Sequence, residues 1–319
     1  MRPVLLLSVS LPLLLGGCNQ SSSVLKYEIH GDAVTITGCD EDASGELVIP
    51  NAIKGKPVTS IGGGAFSDCI SLTGITIPDG VTSIGNYAFY YCTNLTSITI
   101  PDSVTSIGDA AFSGCSALTT IEVAAENVNY TEVNGVLFDT EMTLLHTYPA
   151  GKTGASYTIP HSVTSIEAGA FQYCTSLTNI TIPDSVTSIG WGAFAKCTNL
   201  TGITIPDSVT SIGEGAFGYC RSLTSITIPD SVPSIGDGSF FGCSSLRIIT
   251  IGNGVTSIGT DAFARNRSLT AVTFLGDAPK AARTVFSRGA THTIYRKPEA
   301  KGWGETWGGM PVKLISEKP

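Results

Sequence analysis

The chain has 319 residues, only 14% of them charged and 42% hydrophobic, with a formal net charge of −8 and a positive mean hydropathy. Beyond residue 17 no apolar run reaches the ~20 residues that span a bilayer, and the acidic balance disfavours a nucleic-acid partner. The body is expected to be soluble, its polar surface supplied by hydroxyls more than by charges.

The first element is a targeting segment. Arg2 is a thin basic region, Val4 to Leu15 is a short apolar stretch broken by Pro12, and Leu15-Gly16-Gly17-Cys18 closes it. The stretch is too short for a transmembrane helix and suits a signal peptide over residues 1–17. Its Leu-Gly-Gly-Cys ending resembles the lipobox of bacterial lipoproteins. That resemblance implies cleavage before Cys18 and acyl chains on its thiol and new amine, and two chains anchor stably where one binds marginally. Residues 18–23 are then the lipidated cysteine and a polar tether. Asn19 in place of the Asp that retains some such proteins at the inner membrane favours an outer membrane or cell surface. An ordinary signal peptide with Cys18 incidental is the other reading.

Residues 24–46 lack the period that follows. Tyr27, Ile29, Val34 and Ile36 alternate around His30-Gly31-Asp32, which predicts a hairpin capping the next element.

From 47 to 275 the chain repeats itself. Ile-Pro-Asp-Ser-Val-Thr-Ser-Ile-Gly occurs verbatim at 100–108, 182–190 and 205–213. Phe recurs at 66, 89, 112, 171, 194, 217, 240 and 263, always 23 apart except for one gap of 59. Cys follows seven of them by three residues: Cys69, Cys92, Cys115, Cys174, Cys197, Cys220 and Cys243, with Asn266 after the eighth. Ser97 to Ile100 alternates as a half-buried strand, which Pro101 ends. Val104 to Ile107 predicts a second short extended piece. Apolar spacing of three over Ala111 to Leu118 predicts helical or 3₁₀ turns. One unit cannot bury its apolar face alone, so the copies must stack, Phe on Phe, into a β-rich solenoid of 23-residue coils. With strands ~4.8 Å apart, some ten coils make a rod or arc on the order of 50 Å long.

The unit Cys-x-x-Leu-x-x-Ile-x-Ile-Pro-x-x-Val-x-x-Ile-Gly-x-x-Ala-Phe resembles the bacterial leucine-rich repeats of the BspA-like (Treponema pallidum) class. The resemblance implies a right-handed leucine-rich-repeat solenoid on an exported bacterial protein. Some members bind host matrix proteins or other cells.

The long gap between Phe112 and Phe171 holds one normal unit and one lengthened by rather more than half. Val133-Asn134-Gly135-Val136 is a strong hairpin signal, and Leu144 to Tyr148 suggests a further strand. Residues 127–153 are expected to project from the scaffold, either as a binding element or to accommodate a bend. Residues 276–319 form the C-terminal cap. Thr293-Ile294-Tyr295 reads as a strand, and the segment around Trp303 and Trp307 as a compact aromatic turn, packed in the cap or open to a ligand.

Equivalent cysteines in stacked coils run parallel ~5 Å apart, so the ladder is expected to be reduced and inert. Cys39 has no partner in the period. No metal or cofactor is expected, since His30, His146, His161 and His292 fall in different elements and no Cys-x-x-Cys pair occurs. No nucleophile elbow, phosphate loop or dinucleotide fingerprint is present, so the chain is expected not to be an enzyme. Asp79, Asp102, Asp184, Asp207 and Asp230 form a column open to two readings, turn residues or a Ca²⁺ site. Thr76, Thr99, Thr181, Thr204, Thr227, Thr250 and Thr273 should face outward from one sheet. Such a ladder reflects β-propensity, with ice binding a remote alternative.

Charge is uneven: residues 18–246 carry 6 basic and 21 acidic side chains, residues 247–319 carry 11 and 5. The basic end, with Arg296 and Lys297, is a candidate for steering an anionic partner. The leading expectation is a recognition or adhesion scaffold for an unidentified protein or glycan. Its candidate surface comprises Thr99, Thr181, Thr204, Thr227, Asn134, Gly135, Tyr148, Trp303, Trp307, Arg296 and Lys297. A structural envelope spacer without a specific ligand is the alternative.

Overall fold

The computed structural model describes residues 24–40, 42–282 and 284–318. The signal segment 1–17, Cys18 and the tether lie outside the described residues.

A single coil shows why the unit folds as it does. In the strand Ser97–Ile100, Ile98 and Ile100 are buried while Ser97 and Thr99 face water. Pro101 lacks the N–H needed to continue the ladder, and Val104 N–H turns back to the Pro101 carbonyl at 3.3 Å. Ser106–Ile107 is the second strand. At Gly108 a Cβ would stand 2.8 Å from the Gly85 carbonyl carbon, so no side chain fits. The return path corrects the expected helical segment: Ala111 to Leu118 is a run of separate turns. Cys115 N–H reaches Phe112 O at 3.4 Å and Leu118 N–H reaches Cys115 O at 3.0 Å, but left-handed Ala110 (φ 52°) and Gly114 (φ 80°) prevent propagation. Among the described residues the one helical segment is the 3₁₀ turn Ile315–Glu317.

The coils stack as a solenoid with two walls of parallel strands and one wall of turns. Ile98 pairs with Ile121, Ile180 with Ile203, and Ile226 with Ile249 and then Val272, each step one full period. In the turn wall the Phe N–H donates to the next coil within each half of the stack, as Phe171 does to Ala193 O and Phe194 to Ala216 O, both at 2.7 Å. The phenylalanine rings, Phe89, Phe112, Phe171, Phe194 and Phe217 among them, stack with centroids 5.1–5.8 Å apart wherever coils are consecutive.

The stack runs further than the sequence period suggests. Phe286, one period after Phe263, continues the ladder at 5.8 Å, and the strands Thr293–Arg296 and Met310–Leu314 add two more parallel rungs. The solenoid therefore extends past 275, closed by the strand Thr306–Trp307, which pairs antiparallel with the last rung, and by the 3₁₀ turn. At the other end Leu25–His30 and Ala33–Cys39 form the expected antiparallel hairpin. Ala33–Cys39 also pairs parallel with Lys56–Ile61, closing the first coil.

The lengthened unit does not project. Tyr130–Val133 and Val136–Asp139 form an antiparallel hairpin through Asn134 (φ 53°) and Gly135 (φ 77°), and Val136–Asp139 pairs with Leu144–Thr147. The latter strand joins the second wall beside Ser165–Ile166. Strand alternation then sends Leu137 into the apolar core of the N-terminal coils and Val136 and Phe138 into that of the C-terminal coils, all three fully buried. The insertion is a wedge between two half-cores.

At this seam the strand Ser106–Ile107 has no following strand. Side chains satisfy its edge instead: Ile107 N–H donates to the Tyr130 hydroxyl at 2.8 Å, and His146 Nε2 lies 3.4 Å from Ile107 O. Burial lowers the His146 pKa to about 4, so the imidazole is neutral in the fold. Unfolded, it takes up a proton as pH falls through 6.5; folded, it resists until about 4. The His146 contribution is therefore complete above pH 6.5 and is lost between 6.5 and 4, by about 3 kcal/mol. Urea midpoints at pH 7.5 and 4.5 should show a larger acid loss in the wild type than in His146→Gln. Equal losses would remove His146 from the account.

Cys39 does have a partner. It forms a disulfide with Cys69, which corrects the expectation that every ladder cysteine is reduced. Cys69 lies in the outermost Phe–Cys coil, against the capping hairpin, so a cysteine from outside the period reaches it. The other six, Cys92, Cys115, Cys174, Cys197, Cys220 and Cys243, are free and buried. Their thiols donate to the aromatic carbonyl of the preceding coil, as Cys197 does to Phe171 O at 3.0 Å and Cys220 to Phe194 O at 3.1 Å. Burial pushes Cys197 and Cys243 up to about 12, which keeps them as thiols. Asn266 takes the same buried position, but its amide finds no protein partner. A thiol reagent at pH 8 should label none of the six before unfolding and all six after it. Reducing the disulfide, whose cysteines are 30 residues apart, should cost about 2–4 kcal/mol. No shift in Tm with reductant would mean that the hairpin holds without it.

Candidate functional site

The exposed residues of the first strand wall form the clearest periodic surface. Thr99, Thr181, Thr204 and Thr227 are all exposed, with Thr181 in line with Thr158 and Thr227 with Thr250. Gly202 interrupts the wall: open space surrounds its missing side chain, and a depression of about 390 Å³ lies there between Thr181 and Thr204. Thr273 departs from the expectation. It is buried because the C-terminal segment folds over it, with Lys318 Nζ donating to its hydroxyl at 3.2 Å.

Elsewhere threonine hydroxyls are committed to the stack. At the coil corners Thr187 donates to Thr164 O and Thr201 to Thr178 O, each one coil back. Ser185 and Ser208 do the same to Val163 and Val186 carbonyls at 2.7 Å. The aspartate column is exposed, and Asp230 Oδ1 accepts from Asn253 N–H of the next coil at 2.7 Å, a turn role between coils. Among the described residues no cluster of three or more His, Cys, Asp or Glu could hold a metal ion.

The remaining candidates scatter. Asn134 is exposed at its hairpin tip, while Gly135 is buried against Thr120, whose Cα a Cβ would approach to 3.1 Å. Tyr148 is no surface residue. It stands one period before Phe171, its ring stacks on Phe171 at 5.3 Å, and its N–H donates to Ala170 O at 2.8 Å. It replaces the ladder phenylalanine of the lengthened coil, and burial raises its pKa to about 12. Trp303 and Trp307 lie partly buried against Phe274, their indole N–H groups donating to Gly276 O and Pro279 O at 3.3 and 3.2 Å. Both are committed to the end of the stack. Arg296 bonds the Lys297 and Pro298 carbonyls at 3.0 and 3.2 Å, and Lys297 is half-buried beside it.

A group that period-reading missed lies on the turn wall. Tyr87 and Trp191, 38% and 43% exposed, meet edge to face at 6.3 Å across the seam between the two half-cores. Tyr90, Tyr91 and Tyr173 continue the cluster at 4.9 Å spacings, and Lys196 Nζ sits 4.3 Å from the Tyr173 ring centre and bonds its hydroxyl. Burial first, then the bond to Tyr91, raises the Tyr173 pKa, so the phenol stays protonated.

The family model described as BspA type leucine rich repeat region, in six copies, matches residues 46–146 and 152–290. The chain belongs to the BspA-type leucine-rich repeat family. The break in the match falls directly after the wedge hairpin and its partner strand. Among solved structures, the BspA-type chain is similar to a leucine rich cell surface protein from Faecalibacterium prausnitzii. Identity is 38% and the TM-score 0.67, over 74% of this chain and 61% of that one. The BspA-type chain thus spans less than two thirds of that relative. The pneumococcal vaccine antigen PcpA (19% identity, TM-score 0.68, 88% of this chain and 93% of that one) shares the fold. So does a leucine-rich repeat protein from Eubacterium ventriosum (24%, 0.64, 91% and 98%). No curated protein matches the chain. Among the described residues no helix is long and apolar enough to cross a membrane.

Proposed function

We propose that the protein is an exported lipoprotein, anchored through acyl chains on Cys18, that displays the solenoid at the cell surface or outer membrane as a non-enzymatic recognition or adhesion scaffold. The observation that carries this reading is the constant register from coil to coil. It turns single exposed side chains into columns continued coil after coil on a rigid base, the form of surface that suits a large protein or glycan ligand. Likeness to a repeat protein described as a cell surface protein supports the same reading.

Two experiments test it. Palmitate labelling of the full chain should be lost in Cys18→Ala, with release of the protein from membranes; labelling that persists would remove the anchor. Capture assays against matrix proteins, glycans and neighbouring cells should return a partner whose retention falls on substitution of exposed wall residues. Failure across all three ligand classes would leave a spacer role in its place.

A further inference from the structure

The wall of turns presents a charged and aromatic surface separate from the threonine wall. Two residues after each ladder phenylalanine the backbone is left-handed; Asp68 takes that position in the first coil, and from the next coil on large side chains occupy it at Tyr91, Tyr173, Lys196, Tyr219, Arg265 and Arg288 (φ 55–65°). This conformation favours glycine, which takes it at Gly114 and Gly242. Both glycines sit under tyrosines, with a Cβ on either falling 2.9 Å from the Tyr91 or Tyr219 ring. Two positions further on, Thr175, Thr198, Arg221 and Arg267 form a parallel column. From Tyr91 to Arg288 neither column contains a carboxylate, in a chain whose net charge is −8. Ion pairs among the described residues are confined to Lys26–Asp40, His30–Glu28 and Lys56–Asp32 in the N-terminal cap and first coil, so these cations are not neutralised by neighbours.

The columns enclose a groove of about 480 Å³ lined by Tyr173, Thr175, Lys196, Thr198, Tyr219 and Arg221. Beyond it Tyr219 meets Phe241 edge-on at 5.2 Å, and the Arg265 guanidinium lies 5.1 Å over the Phe241 ring. The stripe thus alternates flat apolar faces with cations, and hydroxyls flank it.

We propose that this groove binds an acidic polysaccharide, its uronic carboxylates against Lys196, Arg221 and Arg265 and its sugar rings on Tyr173 and Tyr219. The spacing fits a polymer. Successive coils advance ~4.8 Å, close to the advance of one pyranose along an extended chain, so the two tyrosines, two coils apart, match alternate sugars. Arginine forks hold carboxylates in two parallel bonds, and the threonine hydroxyls suit sugar hydroxyls. The inference rests on the recognition reading and names the ligand class for one face.

Polygalacturonate, its methyl ester and heparin, titrated calorimetrically into the full chain, separate the possibilities. Polygalacturonate should bind and weaken with salt, the methyl ester should bind at least tenfold more weakly, and the double variant K196Q/R221Q should lose at least tenfold without a change in Tm. Tyr219→Ala should lose affinity as well, while Lys313→Gln, away from the turn wall, should not. Equal binding of the methyl ester, preference for heparin alone, or equal loss in Lys313→Gln would each overturn the proposal. If all three probes fail while the protein still captures cells or matrix proteins, this inference falls and the scaffold reading stands.

Discussion

Phe194→Ala is expected to destabilise the protein by about 3–5 kcal/mol, measured as a shift of the urea midpoint. The ring is fully buried and stacks at 5.1 Å on both Phe171 and Phe217, so its removal opens a void between two coil interfaces at once. The wall cannot collapse into that void, because backbone bonds at 2.7 Å from Phe171 to Ala193 and from Phe194 to Ala216 fix the coil spacing. In a stack stabilised by nearest-neighbour interfaces a central defect weakens two junctions, whereas one at the last ladder ring weakens one. Phe286→Ala, with a single ring partner in the ladder at 5.8 Å, should therefore cost less. Equal losses at the two positions would mean that the ladder is not the unit of cohesion.

Phe138→Ala should have a comparable effect of a different kind. Phe138 is fully buried and belongs to the C-terminal core, while its neighbour Leu137 belongs to the N-terminal one. Truncation of Phe138 should cost about 3–5 kcal/mol and Leu137→Ala about 2–5 kcal/mol. Because the two half-cores meet through this hairpin, either variant should also broaden or split the unfolding transition as the halves lose their coupling. A single sharp transition with less than about 1 kcal/mol lost would show that the hairpin is ornament.

These expectations draw on features that the sequence reveals unevenly. Stacking of Phe89, Phe112, Phe171, Phe194 and Phe217 is readable because equal spacing leaves one way to bury identical faces. The Asn134-Gly135 turn is readable because its residues accept left-handed backbone. That the hairpin lies between the cores is not, since Val136-Leu137-Phe138 gives no indication that both faces are covered. Tyr148 and Phe286 carry a signal, each standing one period from a ladder ring, Phe171 and Phe263. It is obscured because Tyr replaces Phe in one case and Val precedes Phe in the other. The Cys39–Cys69 bridge is hidden because one partner lies outside the period. The basic and aromatic columns of the turn wall emerge only when positions two and four residues after each aromatic are compared across coils. Periodic reading follows what stays the same and passes over what changes.

The register has a genetic consequence. The stretch at 182–190 recurs unchanged at 205–213, and away from the seam successive coils bond to one another through the same pairs of groups. DNA encoding such stretches is prone to misalign by one unit during recombination, and the product of such an exchange keeps every junction type intact. A lineage can therefore lengthen or shorten the molecule in increments of ~4.8 Å, changing the extent of its exposed walls while each version remains foldable.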